Sequence, residues 1–264
     1  MIRLSGEQMM ALQDAAMHRF VGRVVDELPA YRAPLVEGRS RATLFQSASL
    51  AVRQAQDFGL ESERALFLFA NLAVTLGAHF PTDPALPWAG NILGDASYLG
   101  NEKMDDLWNA YIAYCEQAMG PEEGAYFPAA AYRRFASLPA VADGDGTAGP
   151  VIADLQALWP EKVAATGPDD LQAHVFGAGQ RAEALGLEDY AAKVRYCRIA
   201  FLIGQSFDAD PLHDWAQQIL LSDSDGSDSS IMDRLEARFS EVVIAPALRW
   251  RIKEDAKSDD EEDE

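Results

Sequence analysis

The chain is short of cysteine, short of basic residues and without a long apolar run, and each shortage excludes something. Its 2 cysteines, Cys115 and Cys197, lie in apolar helical stretches with no second thiol nearby. That rules against a disulfide framework and fits reduced core thiols in a cytoplasmic setting. No stretch approaches the ~20 apolar residues of a membrane span. Met1 to Phe20 has neither a basic n-region nor an unbroken apolar h-region, so no signal peptide is expected. Lys and Arg total 22 against 42 Asp and Glu, a net charge of −20. Such a field repels nucleic acid and anionic lipid and attracts basic partners. Segment 254–264 carries eight acids against Lys257, a net −7, which leaves −13 of the −20 on the rest of the chain.

Chemistry-bearing spacings are also missing. There is no GxSxG, no P-loop, no GxGxxG before a strand and no Cys/His pair of catalytic type. The histidines, His18, His79, His174 and His213, form no HxH, HxxxH or HExxH spacing. They are expected as surface or boundary residues, with no metal and no cofactor. The loop Ser222–Ser230 has aspartates at calcium-loop spacing from Asp223. Asp228 stands where such a loop needs glycine and Arg234 where it needs glutamate, so it is a polar linker. No catalytic residue and no enzymatic activity are assigned.

What the chain does have is a stretch that occurs twice. Gly59-Leu60-Glu61, Gly77, Phe80, Asp83-Pro84, Trp88-Ala89 and Ile92-Leu93 recur as Gly186-Leu187-Glu188, Gly204, Phe207, Asp210-Pro211, Trp215-Ala216 and Ile219-Leu220, all at a shift of 127 residues. Met104 and Leu107 meet Met232 and Leu235 at 128, one residue having been added in the connecting loop. Internal duplication fixes the structural unit. The fold class that follows is all-α: tandem copies of a helical module and an acidic C-terminal tail. Module 1 is 1–119, a connector 120–149, module 2 is 150–245, and a C-terminal segment runs over 246–264.

Ser5 and Gln8 have capping-box spacing, and Met9, Leu12, Ala16, Phe20 and Val24 form an amphipathic stripe, predicting a first helix that ends near Leu28-Pro29. Helices follow over about 41–58 and 62–76, with Gly59 and Gly77 as their stops. Gly77 to Trp88 is too rich in proline to stay helical, so an ordered loop pinned by Phe80 and Trp88 is expected. Asp83 before Pro84 is read as the cap of a short helix holding Trp88 and Ile92, and Asp210 as its counterpart. A helix over about 102–119 closes the copy, and 129–138 is a possible short helix before the linker Asp143–Gly149. The second copy is expected to place helices near 168–185, 188–203, 211–221 and 229–243. Pro150 to Trp159 supplies a short helix where the first copy has its long N-terminal one.

Paired catalytic acids would require a second carboxylate in both copies, but Asp208 is matched by Pro81. The tryptophans are read as core anchors.

Gly59-Leu60, Gly77-x-x-Phe80, Asp83-Pro84, Pro87-Trp88-Ala89 and Ile92-Leu93, behind an N-terminal amphipathic helix, resemble small helical proteins of bacterial type VI secretion effector clusters. The second copy departs at Leu212-His213-Asp214. The resemblance implies an accessory protein, either an immunity protein that neutralises a co-encoded toxin or a chaperone or adaptor that loads an effector. The acidic balance favours immunity through exposed acidic helical faces, with Asp105, Asp106, Glu236 and Glu241 as the expected contacts to a basic protein partner, and Asp259–Glu264 adding long-range attraction. An adaptor is instead expected to expose an apolar groove.

Overall fold

A computed structural model describes residues 5–97, 100–119, 127–141, 146–221 and 227–250, and these are helical or turn-forming, with no strand among them. Residues 222–226 of the Ser/Asp loop, the first part of the linker at Asp143 and the tail Asp259–Glu264 lie outside the described residues.

The first copy consists of α2 (Arg41–Asp57), α3 (Glu63–Leu76), a 3-10 turn at Phe80–Thr82, α4 (Pro87–Gly94) and α5 (Gly100–Ala118). It is preceded by α1 (Gly6–Val36). The second copy consists of α9 (Pro168–Ala184), α10 (Tyr190–Ile203), a 3-10 turn at Phe207–Ala209, α11 (Asp214–Leu221) and α12 (Asp228–Phe239). Between them lie α6 (Ala129–Phe135), α7 (Ala148–Leu158) and α8 (Pro160–Thr166). The spans of α2, α3, the 3-10 turn and α4 reappear 127 residues on as α9, α10, the second 3-10 turn and α11.

Local chemistry sets these boundaries. Ser40 and Ser62 cap α2 and α3 by accepting from Thr43 and Ala65 N–H, and Asp189 caps α10 through Ala192. Gly59 and Gly186 turn the chain at φ 79° and 86°, a left-handed conformation that side chains disfavour. In each copy an aromatic pair locks the following loop onto its helix. Phe69 and Phe80 lie 5.0 Å apart, and their counterparts Tyr196 and Phe207 lie 4.9 Å apart. All four rings are buried, and burying each contributes about 2 kcal/mol.

Pro29 does not end α1. The helix runs on to Val36 with Pro29 and Pro34 inside it and a break at Arg32, φ −140° and ψ 30°. Leu28 and Val36 are buried on either side of that break, and Arg32 Nε donates to Thr75 Oγ1 at 2.8 Å, so packing holds the segment where proline alone would stop it. The stripe is also only half used. Phe20 and Val24 are buried, whereas Met9, Leu12 and Ala16 are exposed.

Beyond α12 the backbone passes through a π turn at Ser240–Ile244 and stays helical to Trp250, whose ring meets Phe127 edge-on at 6.2 Å. One buried hydrophobic cluster runs from Phe20 to Ala247 and takes in residues of both copies. Cys115 and Cys197 sit in it as buried thiols outside any disulfide, and burial pushes them up to about 11 and about 12.

Candidate functional site: a buried polar seam and an open groove

Where the copies meet, two glycines stand face to face. A Cβ on Gly77 would lie 2.7 Å from the Ile203 carbonyl oxygen, and one on Gly204 would lie 3.0 Å from that of Leu76. Their φ values, 95° and 108°, also exclude ordinary side chains. These glycines therefore end helices and let the two backbones touch.

The two aspartates cross that contact reciprocally. Asp83 Oδ1 accepts from Ala85 N–H at 2.9 Å in its own loop, and its Oδ2 accepts from Gln205 N–H at 3.1 Å in the other copy. Asp210 Oδ1 accepts from Leu212 N–H at 2.8 Å, and its Oδ2 accepts from Ala78 N–H at 2.8 Å. Ala78 and Gln205 are themselves 127 residues apart, so each copy gives the other the same bond, as an isologous contact would. This corrects the expected capping role. The N-cap of α4 is Leu86, with Pro87 opening the helix, and Asp210 caps only the 3-10 turn at Pro211–His213. The second oxygen of each carboxylate acts between copies, which spacing along one chain cannot reveal.

The seam is asymmetric in charge. His174 Nδ1 lies 2.9 Å from Asp83 Oδ1, and since an ionised carboxylate only accepts, the imidazole is the donor. Lys162, also buried, donates to the Phe201 carbonyl at 2.6 Å and lies 5.0 Å from the Trp159 ring centroid. Burial alone would raise the Asp83 pKa, but the charge and hydrogen bond of His174, then Lys162, overcome it and set it at about 2. Asp210 has backbone donors and only the weaker pull of the Arg39 charge, so burial wins and lifts it to about 6. Burial lowers Lys162 to about 8 and, with Arg39, lowers His213 to about 3.

His174 and His213 are thus interior residues, not the boundary ones expected. The signal missed was the pairing of His174 with the Asp83 loop across 91 residues. Asp208, another carboxylate absent from the first copy, is held by Arg181 and by the Tyr196 hydroxyl at 2.7 Å. The His174 and Asp83 side chains are 0% and 1% exposed. As they stand, they can orient one another but cannot meet a substrate. Among the described residues no group of three or more His, Cys, Asp or Glu is placed to hold a metal ion, and no helix is long and apolar enough to cross a membrane. Trp215 is buried and Trp88 half-buried against Tyr114, so the indoles face packing rather than an open cleft.

No known family model, curated protein or solved structure matches this chain.

The acidic positions expected to bind a partner are scattered and largely engaged. Asp105 on α5 pairs with Arg64 at 2.7 Å, Glu236 on α12 with Arg195 at 2.8 Å, and Glu241 with Arg238 at 2.7 Å. Asp106 is half-buried beside Asp105.

An open hollow of about 630 Å³ lies elsewhere, on α9 and α10 beside the start of α7. Val175, Phe176, Tyr190 and Val194 line it, with Gly179 on its floor and Asp169, Glu183 and Lys193 among its polar groups. Phe176 is 65% exposed. Shifted back by 127, this surface becomes the face of α2 and α3 on which α1 lies. There His18 meets Phe45, the counterpart of Gln172, and Tyr31 meets Phe67, the counterpart of Val194. In the second copy that place is taken by α7, an 11-residue helix in place of a 31-residue one. The groove is the part of the seat that α7 leaves uncovered.

Proposed function

We propose that the chain is a protein-binding adaptor that receives an amphipathic helix of its partner in the groove between α9 and α10. The observation that carries the reading is that groove: an apolar-floored trough of about 630 Å³ in the place where the first copy already holds a helix. Helix-in-groove recognition uses side chains three and four apart as anchors. The partner helix presents an apolar stripe to Val175, Phe176 and Val194, with a basic residue flanking it to face Asp169, since Glu183 already pairs with Lys193 at 3.6 Å. The resemblance to type VI effector-cluster proteins supplies the partner class, a co-encoded effector that the adaptor keeps soluble and presents for loading.

A second reading, immunity toward a folded toxin, draws on the net charge of −20, which speeds encounter with a basic partner. Co-expression with the neighbouring effector separates the two. An adaptor raises the yield of soluble effector without inhibiting it, and Phe176→Glu abolishes that gain. Stoichiometric inhibition of the folded effector, unaffected by Phe176→Glu, would favour immunity and overturn the adaptor reading.

A further inference from the structure

The first twelve described residues present a helix without a seat. From Gly6 to Ala16, α1 projects beyond its packed part, which begins where Met17 and His18 reach the core and Phe45, and Met9, Met10 and Leu12 are 49%, 58% and 53% exposed. Met9, Leu12 and Ala16 continue the stripe whose next members, Phe20 and Val24, are buried against the first copy. One amphipathic face is therefore half docked and half bare. The groove on the second copy has the opposite fault, since it corresponds to the surface that this stripe covers in the first copy and only the short α7 reaches it. At 1.5 Å per residue the projection, Gly6–Ala16, spans roughly 16 Å and fits within the groove wall on α9, Asp169–Glu183, of roughly 21 Å.

Rotating the projection back onto its own groove would need a break in a helix whose first non-helical residue is Arg32. A second copy meets no such obstacle. Resting on the reading of the groove as a helix seat, we propose that the α1 projection of one copy docks into the α9/α10 groove of a second copy, closing that groove until a partner helix displaces it.

The contact is heterologous, joining two different surfaces, so it either closes as a reciprocal pair or continues head to tail. Sedimentation equilibrium on the full chain tests it. The wild-type mass is expected to rise above 28.8 kDa with concentration, whether it stops at two copies or continues. Met9→Glu with Leu12→Glu removes the projection's stripe, and Phe176→Glu spoils the groove. All three sites are exposed, so the fold tolerates them, and an unchanged melting temperature verifies that. Each variant alone is expected to stay at 28.8 kDa, while an equimolar mixture regains a two-chain species, because each supplies the surface the other lacks. A wild type that stays single up to about 1 mM, the weak end of specific association, or variants that associate as the wild type does, would overturn the proposal. Hydrogen exchange along α9, with a synthetic basic amphipathic peptide as probe, separates this from the adaptor reading. Protection by the peptide in a wild type that never associates rejects self-docking alone, whereas no protection and no association reject both.

Discussion

Asp83 and Asp210 occupy matched positions and make matched backbone hydrogen bonds, yet titrate in opposite directions because only Asp83 has the His174 imidazole and the buried Lys162 beside it. The signs follow from linkage. Asp83 has its folded pKa lowered to about 2, so its contribution, about 2 kcal/mol, is present above its unfolded value near 3.8 and is lost as pH falls through 2. Asp210 has its folded pKa raised to about 6, so its contribution, about 3 kcal/mol, is full below 3.8 and is lost as pH rises through 6. Asparagine variants should therefore diverge. Asp83→Asn leaves the buried Lys162 without its counter-charge and His174 Nδ1 without its carboxylate acceptor, and is expected to cost about 3–5 kcal/mol at pH 7, less below pH 3.8. Asp210→Asn is expected to cost about 1–2 kcal/mol at pH 7 and more at pH 4. Urea unfolding at pH 3, 4 and 7 measures both, and parallel pH slopes for the two variants would refute the assignment.

At the scale of the element, the same residue type ends helices for two different reasons. Gly59 has φ 79° and open space where a Cβ would go, so Gly59→Ala carries only the left-handed penalty, about 1–2 kcal/mol. Gly77 has that penalty and a carbonyl 2.7 Å from its missing Cβ, so Gly77→Ala is expected to cost at least twice as much, as is Gly204→Ala at 3.0 Å. Thermal or urea unfolding of the three variants gives the order, and equal losses would mean that the close backbone approach is relieved without penalty.

The contrast also marks how far the sequence could be read. Stops at Gly59 and Gly77, the capping box at Ser5 and the spans of α2 and α3 are local signals, and local signals are printed along a chain. The cross-copy role of Gly77, Asp83 and Asp210 depends on how one copy meets the other, and no periodicity encodes that. The end of α1 was misjudged at Pro29 because burial of Leu28 and Val36 outweighs the proline. Its first half was misjudged because a stripe shows which face is apolar without showing what covers it. The groove had a faint sequence signal, the short Pro150–Trp159 helix in the place of a long one, but an empty seat becomes visible only when both seats can be compared.

For the whole molecule, the net charge of −20 opposes compaction through self-repulsion, and salt should therefore stabilise the fold. The competing effect is loss of ion pairs. Arg23–Glu63, Arg41–Asp26 and Arg64–Asp105 have both side chains more than half exposed, so each contributes at most about 1 kcal/mol and is screened along with the repulsion. The pairs that hold structure, Arg198–Asp154 and Asp83–His174, are withdrawn from solvent, where screening is weak. Raising sodium chloride from about 0.02 to 0.5 M shortens the Debye length from roughly 20 Å to about 4 Å, which removes repulsion between distant acids and leaves these buried pairs in place. The melting temperature is expected to rise by roughly 2–4 °C, equivalent to about 1 kcal/mol for a chain of this size. Chloride is the suitable anion, because sulfate would stabilise by exclusion from the surface whatever the charge. A melting temperature that falls across this range would mean that exposed ion pairs outweigh the excess of acids, and that the acidity is neutralised locally rather than carried as a long-range field able to draw in a basic partner.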